Sequence, residues 1–311
     1  MTTRIVQWTG DEPSLGPAAV AIGVFDGVHI GHQALLRDTV RFARERGVLS
    51  VALTFDRDPD QVVTPDHAAP QLLLLEDKLR YMSETGLDVI LVVPFCSHVA
   101  GMQPDRFLDD MLTAAFDPQL VVVGYDFRFG AHASGDVETL RKHGEQASFD
   151  VMAHELLQVG GETVTSTRIR GCIAAGDVAA ATELLGRYHR LVGRVTHGRG
   201  EGESLLGVPT ANIRPVTVYA ALPADGVYAG YTLVDGERQP SAISVGVPPS
   251  FPKALDCLEA HLLDWSGELY AKQVTIEFVE HIRPHETFTD AARLAARIQQ
   301  DIGHVRMILD A

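Results

Sequence analysis

Through the first half of the chain, short apolar runs alternate with amphipathic stretches. AAVAIGVF (18–25) reads as a buried strand, and residues 32–46 carry Leu35, Leu36, Val40 and Ala43 on one side at helical spacing. LSVALTF (49–55), DVILVVPF (88–95) and QLVVVGYDF (119–127) repeat the strand pattern, with helical stretches around 75–85 and near 104–115. This rhythm predicts a mostly parallel, Rossmann-like α/β sheet covered by helices. In such sheets ligands bind beyond the carboxyl ends of the strands.

The pattern changes near residue 187. Residues 166–186 read as two short helices, the second being DVAAATELLG. Strand-like runs follow at 189–196, 226–234, 240–246, 257–263 and 272–279, separated by turns rich in Gly and Pro, and an amphipathic helix closes the chain at 289–309. Many short strands and one terminal helix predict a small antiparallel barrel packed against that helix. The expected division is therefore 1–186 and 187–311. No internal repeat or low-complexity linker interrupts it.

A length of 311 residues agrees with two domains, and 46% hydrophobic residues can build two buried cores. No apolar run approaches the roughly 20 residues needed to span a bilayer. The start has no basic segment followed by an apolar one, so a cytoplasmic protein is expected. A net charge of −15 opposes a grip on nucleic acid through bulk electrostatics. Cys96, Cys172 and Cys257 are too widely spaced for a disulfide framework or a CxxC metal pair, and each is expected to be a small buried hydrophobe. Oligomerisation beyond a monomer or a transient homo-oligomer is not expected.

The segment GVFDGVHIGH (Gly23–His32) lies between the first predicted strand and the first predicted helix. Gly23, Gly27 and Gly31 let the backbone turn sharply and approach a ligand. The helix aims its free N–H groups into the same space, where His29 and His32 can meet one anion. That equipment suits a triphosphate and the charge that builds on a phosphorus during displacement. A metal pair and an incidental glycine turn are the rival readings; the metal lacks an obvious third ligand.

HxGH after a strand resembles the nucleotidylyltransferase superfamily. The longer GxFDGxHxGH, followed by GYDFRFG (Gly124–Gly130) and TSTRIR (Thr165–Arg170), is similar to the prokaryotic FAD synthetase module. The resemblance implies an α/β nucleotidylyltransferase domain in which His29 and His32 contact ATP phosphates and the adenylyl transition state. Gly23, Phe25, Asp26, Gly27 and Gly31 would shape the nucleotide loop. Asp126 would help place nucleotide or flavin, and Phe129 would lie against the isoalloxazine ring. Ser166, Thr167 and Arg170 would hold outgoing pyrophosphate, a role that hydroxyls at a helix start beside a guanidinium can fill. Their plain alternative is a helix cap, and that of Phe129 a core aromatic. Where the family usually reads TFxPHP this chain has TFDRDP (Thr54–Pro59), with Asp58 at the histidine position.

In the second half, GVPTAN (Gly207–Asn212) follows the glycine-rich stretch HGRGEGES. Thr210 and Asn212 offer a hydroxyl and an amide oxygen suited to a hard cation or a phosphate, although a simple turn explains the same residues. PTAN, followed by DGVY (225–228), LEAHLLDW (258–265), ELY (268–270) and IRP (282–284), resembles the riboflavin kinase barrel. The resemblance implies that Gly207 belongs to the nucleotide loop, that Thr210 and Asn212 hold Mg²⁺ and nucleotide, and that Glu259 is the base toward the ribityl hydroxyl. By itself Glu259 reads as the solvent face of an alternating strand. Departures from the family are Glu201 and Glu203 in the glycine loop, SVGVPPSF (244–251) for NxGxRPTF, and His285 for the glutamate of RPE.

The expected chemistry is flavin cofactor synthesis. ATP phosphorylates riboflavin to FMN at the barrel, and a second ATP adenylylates FMN to FAD at the α/β domain with release of pyrophosphate. Three alternatives remain at this point: an FAD synthetase with a degenerate flavin-binding barrel, a nucleotidylyltransferase for another acceptor, and a flavin-binding protein without turnover. His98, His132, His154 and His189 receive no role.

Overall fold

The computed structural model describes residues 2–10, 14–197, 208–246, 258–288 and 290–310. Residues 198–207, which include Gly207, Glu201 and Glu203, lie outside them, as do Cys257 and the stretch from Val247 to Phe251. The chain forms two compact units, Met1–Thr165 and Ser166–Ala311.

The first unit is built on a parallel sheet of β1 (Arg4–Gln7), β2 (Pro17–Ile22), β3 (Leu49–Phe55), β4 (Val89–Val93), β5 (Asp117–Gly124) and β6 (Asp150–His154), in the order β1-β4-β3-β2-β5-β6. β3 and β4 are buried along almost their whole length, as continuous apolar runs covered on both faces should be. Apolar clusters fill both sides, one around Val20, Leu53, Leu91 and Phe116, the other around Leu36, Val40, Met82 and Ile90. From β2 the chain order runs through β3 to β4 in one direction, while β5 and β6 lie in the other. The order reverses between β2 and β5, and such a reversal leaves a crevice at the carboxyl ends. Among these strands β1 and β6 escaped the sequence pattern, because both are short and half-polar.

A two-stranded hairpin, β7 (Gln158–Val159) and β8 (Glu162–Thr163), ends the first unit. The second unit opens with helices Ser166–Ala174 and Val178–Leu185. Val178 is fully buried in the core of the barrel that follows, which explains why this segment groups with the barrel and not with the parallel sheet.

The barrel closes from β9 (His189–Thr196), β10 (Ala211–Pro215), β11 (Gly226–Val234), β12 (Glu237–Val245), β13 (Leu258–Leu262) and β14 (Gln273–Arg283), in the order β10-β13-β12-β11-β14-β9. Alternating burial sends Ile213, Ile243, Ala260 and Ile276 inward. The terminal helix Ala291–Leu309 is capped by the Asp290 carboxylate, which accepts from the Ala292 N–H at 2.8 Å. Its Asp301 takes a bidentate grip from Arg283 at the end of β14, at 2.7 and 3.0 Å, with both side chains buried. Cys96 corrects the sequence expectation: it stands exposed in the loop before the short helix Ser97–Ala100, beyond the buried end of β4.

Candidate active sites on the two units

The carboxyl end of β2 leads directly into the first site. Three nearly consecutive residues adopt positive φ: Phe25 at 55°, Gly27 at 78° and Val28 at 37°. For buried Phe25 and β-branched Val28 this is strained backbone, held by its surroundings, and such strain concentrates at functional sites. Phe25 therefore lies in the loop and not at the end of the strand, which stops at Ile22. A Cβ on Gly23 would meet the Phe25 ring at 3.0 Å, and one on Gly31 would meet the His29 ring at 3.2 Å. Both glycines make room for rings folded back over the loop.

His29 caps helix α1 (Ile30–Arg46): its Nδ1 accepts from the His32 N–H at 3.2 Å. With Nδ1 acting as acceptor, the neutral ring carries its proton on Nε2, where it is a donor. The two imidazoles stack with centroids 3.5 Å apart and planes 19° from parallel, and Phe25 meets His32 edge-on at 5.3 Å. His29 is 5% exposed. Two aligned ring donors beside a helix N-terminus can hold an anion and follow charge as it shifts between phosphate oxygens.

Asp26 is buried and turns toward the protein, where its carboxylate accepts from the Leu72 N–H at 3.2 and 3.3 Å. It braces the loop from behind. Lys78, on the helix Leu75–Ser83, is also buried, and its Nζ donates to the carbonyls of Val24 (3.1 Å) and Phe55 (2.7 Å). Sequence reasoning missed this lysine, because a charged residue in an amphipathic helix carries no sign that it points inward. In TFDRDP, Asp56 is held by Arg57 at 2.9 Å and by the Phe95 N–H at 2.7 Å, while Asp58 is buried.

Across the crevice, the loop after β5 carries the other two predicted residues of this unit. Asp126 is exposed beside Gly124, where an added Cβ would lie 3.1 Å from its Oδ1. Phe129 is 7% exposed and packs in the core, stacked on half-buried Phe127 at 5.3 Å and tilted against Phe107 at 5.7 Å. Phe127 is thus the ring of this pair with more open surface, a residue the sequence reading did not single out. Ser166, Thr167 and Arg170 form the first turns of helix Ser166–Ala174 in the second unit, with Thr167 exposed and the other two half-buried.

On the barrel, strand register assembles the second site. Asn212 on β10 lies directly opposite Glu259 on β13, and Glu259 lies opposite Ser244 on β12. Opposed residues share a face, so all three stand in one row outside the apolar interior, each half-buried. Thr210 is exposed two residues before Asn212. His261, on the same face of β13 as Glu259, donates from Nδ1 to the Pro209 carbonyl at 2.8 Å and ties the PTAN segment to that strand. His285 takes up the Val245 carbonyl at 2.7 Å through Nε2. The imidazole that replaces the family's glutamate thus anchors the end of β12 next to Ser244. Hydroxyl, amide and carboxylate oxygens are the donor set of a hard cation that keeps phosphate and water ligands. Among the described residues no cluster of three or more His, Cys, Asp and Glu is arranged to hold a metal.

The FAD synthetase family matches residues 11–168, and the riboflavin kinase family matches residues 185–309. The chain belongs to the bifunctional riboflavin kinase/FMN adenylyltransferase family. The relative of that name in Escherichia coli K12 is 35% identical over 91% of this chain and 90% of its own length. Those in Pseudomonas fluorescens and Listeria monocytogenes are 34% and 33% identical, each over at least 89% of both chains. Among solved structures, one described as a macrolide-efflux protein from Streptococcus pneumoniae is 26% identical over 98% of this chain and 99% of that one, with a TM-score of 0.86. The chain is accordingly a transferase of flavin cofactor synthesis, as its motifs implied. No described helix is long and apolar enough to cross a membrane.

Proposed function

We propose that the chain phosphorylates riboflavin to FMN on the barrel and adenylylates FMN to FAD on the parallel-sheet unit. The observation that carries the second activity is the stacked pair of His29 and His32 on a strained loop at the sheet's reversal point. FMN phosphate attacks the α-phosphorus of ATP in line, and pyrophosphate leaves. His29 and His32 follow the charge from the α-phosphoryl group to the leaving oxygens. The loop of Gly23, Phe25, Asp26, Gly27 and Gly31 sets their position. Asp126 and the stacked Phe127–Phe129 pair meet the flavin. Ser166, Thr167 and Arg170 are assigned the pyrophosphate on their chemistry, and residues 1–186 the adenylyl step as a whole.

On the barrel, Glu259 takes the proton from the ribityl hydroxyl as that oxygen attacks the γ-phosphorus of ATP, whose bond to the β–γ bridging oxygen breaks and releases ADP. Asn212 and Thr210 would hold Mg²⁺, which supplies charge neutralisation on the phosphates. Gly207 is assigned to the loop over the nucleotide, and residues 187–311 to the kinase step. An ATP-consuming synthesis of this kind belongs in the cytoplasm.

The test is product analysis of the purified chain with MgATP and either riboflavin or FMN, the flavins being separated by chromatography. FMN and FAD from riboflavin support both sites. FAD from FMN with riboflavin untouched reduces the barrel to a binding module. No new flavin from either substrate overturns the reading.

A further inference from the structure

A buried cation beside the histidine loop takes no part in either proposed transfer. Lys78 is 4% exposed, yet its ammonium is not spent on an ion pair at the surface. It donates to Val24 O at 3.1 Å, inside the histidine loop, and to Phe55 O at 2.7 Å, at the carboxyl end of β3. Val24 O also accepts from the Thr54 hydroxyl at 3.1 Å. In the opposite direction, the Asp26 carboxylate reaches out of the same loop to the Leu72 N–H, just ahead of the helix that carries Lys78. Loop and helix thus clasp each other through two buried charges of opposite sign, one on each partner.

Burial pushes the Lys78 ammonium below its ordinary range, while Asp58, Asp26 and Asp56, in that order, hold its charge. A methionine or leucine would fill this space without any desolvation cost. What the apolar residue lacks is the ability to bridge two carbonyls that belong to different strand ends. Without the ammonium, the Phe55 carbonyl loses that donor and the Val24 carbonyl falls back on the Thr54 hydroxyl, and the loop that bends through positive φ at Phe25, Gly27 and Val28 loses its tie to the helix.

We propose that Lys78 is a positioning residue for adenylyl transfer, holding the histidine loop in register with the end of β3 so that His29 and His32 meet the α-phosphoryl group correctly placed. This rests on the adenylyltransferase reading of that site. Lys78 touches no substrate; it acts through the Val24 carbonyl and the backbone that follows. The effect belongs in turnover and not in ATP capture, since the rings remain present but displaced. A displacement of about 1 Å costs roughly 100-fold in rate.

The experiment compares Lys78→Met with the charge-balanced double variant Lys78→Met/Asp58→Asn in the full chain. FAD formation from FMN, riboflavin phosphorylation, thermal unfolding and backbone hydrogen exchange over residues 23–32 are measured on each. The expected result for Lys78→Met is a fall of about 100-fold in the kcat for FAD with the KM for ATP changed less than about threefold. Exchange over the loop accelerates, and riboflavin phosphorylation in the same molecule is retained. The double variant regains thermal stability and not kcat. Recovery of kcat along with stability overturns the proposal, since Lys78 would then merely balance Asp58. Unchanged kcat in the single variant overturns it as well. Wild-type protein that makes no FAD overturns the functional reading underneath, and loop exchange still judges the clasp in that event.

Discussion

The histidine loop and the barrel row both bring polar side chains together, but they do so by different means. His29 and His32 are neighbours in sequence, brought face to face by one helical turn and by a backbone bent through positive φ. Asn212 and Glu259 are far apart in sequence and meet only because β10 and β13 pair in one register. The first arrangement stores its precision in local strain and in a buried brace. The second stores it in the ladder of the whole barrel, where a slip of one residue would turn Glu259 into the apolar interior. Local changes should therefore damage the adenylyl step selectively, while the kinase step should feel any disturbance of barrel closure.

Glu259→Gln presses hardest on this contrast. The amide keeps the shape and the row but cannot accept the hydroxyl proton, so riboflavin phosphorylation should fall by about two to four orders of magnitude. FAD formation from supplied FMN should not change, and steady-state rates with each flavin check both halves. Next comes His32→Ala, which removes one ring of the stack while leaving the His29 cap on α1 in place. FAD formation should drop by about two to three orders of magnitude with phosphorylation intact. Parallel losses of both activities in either variant would break the separation between the regions.

A structural blow to the barrel sharpens the same contrast. Asp301→Asn leaves the Arg283 guanidinium buried without its bidentate carboxylate, which should cost about 3–5 kcal/mol. Calorimetry should show the barrel's transition moving down while FAD formation from FMN persists at temperatures where phosphorylation is lost. A single shared transition would mean that the two units unfold together.

A smaller effect comes from His189, buried in the barrel with Nε2 donating to the Ala221 carbonyl at 2.8 Å. Burial pushes this imidazole down to about 4. The unfolded chain binds a proton there near pH 6.5, whereas the folded barrel refuses it until near pH 4. Its contribution is therefore complete above about 6.5 and is lost progressively as pH falls toward 4. Unfolding temperatures of the barrel across that range should decline with acid, and His189→Gln should flatten the decline. Smallest of all, His261→Ala releases the PTAN segment from β13 and should raise the KM for ATP several-fold in phosphorylation with little change in kcat.

The histidine loop was legible because its ingredients are contiguous. Glycines, ring donors and a helix start within ten positions need no knowledge of distant contacts. Glu259 was visible only through its resemblance to a known strand; its alternation with apolar neighbours is what any solvent-facing residue would show. Lys78 and His261 were not legible at all. One lies in an amphipathic helix and the other in an alternating strand, and their partners are backbone carbonyls of segments distant in sequence. Cys96 shows the converse, an apolar-looking residue exposed because the chain has already left the sheet.

Fold class and the two families of motif follow from the sequence itself, since periodicity and glycine-bounded loops depend on near neighbours. Tertiary structure alone decided that helices 166–185 join the barrel, that Phe129 sits in the core with Phe127 more open, and that Asp26 and Lys78 brace the loop from within. Those choices depend on which buried acceptors and apolar surfaces lack a partner once all strands are paired. No local stretch of sequence contains that information.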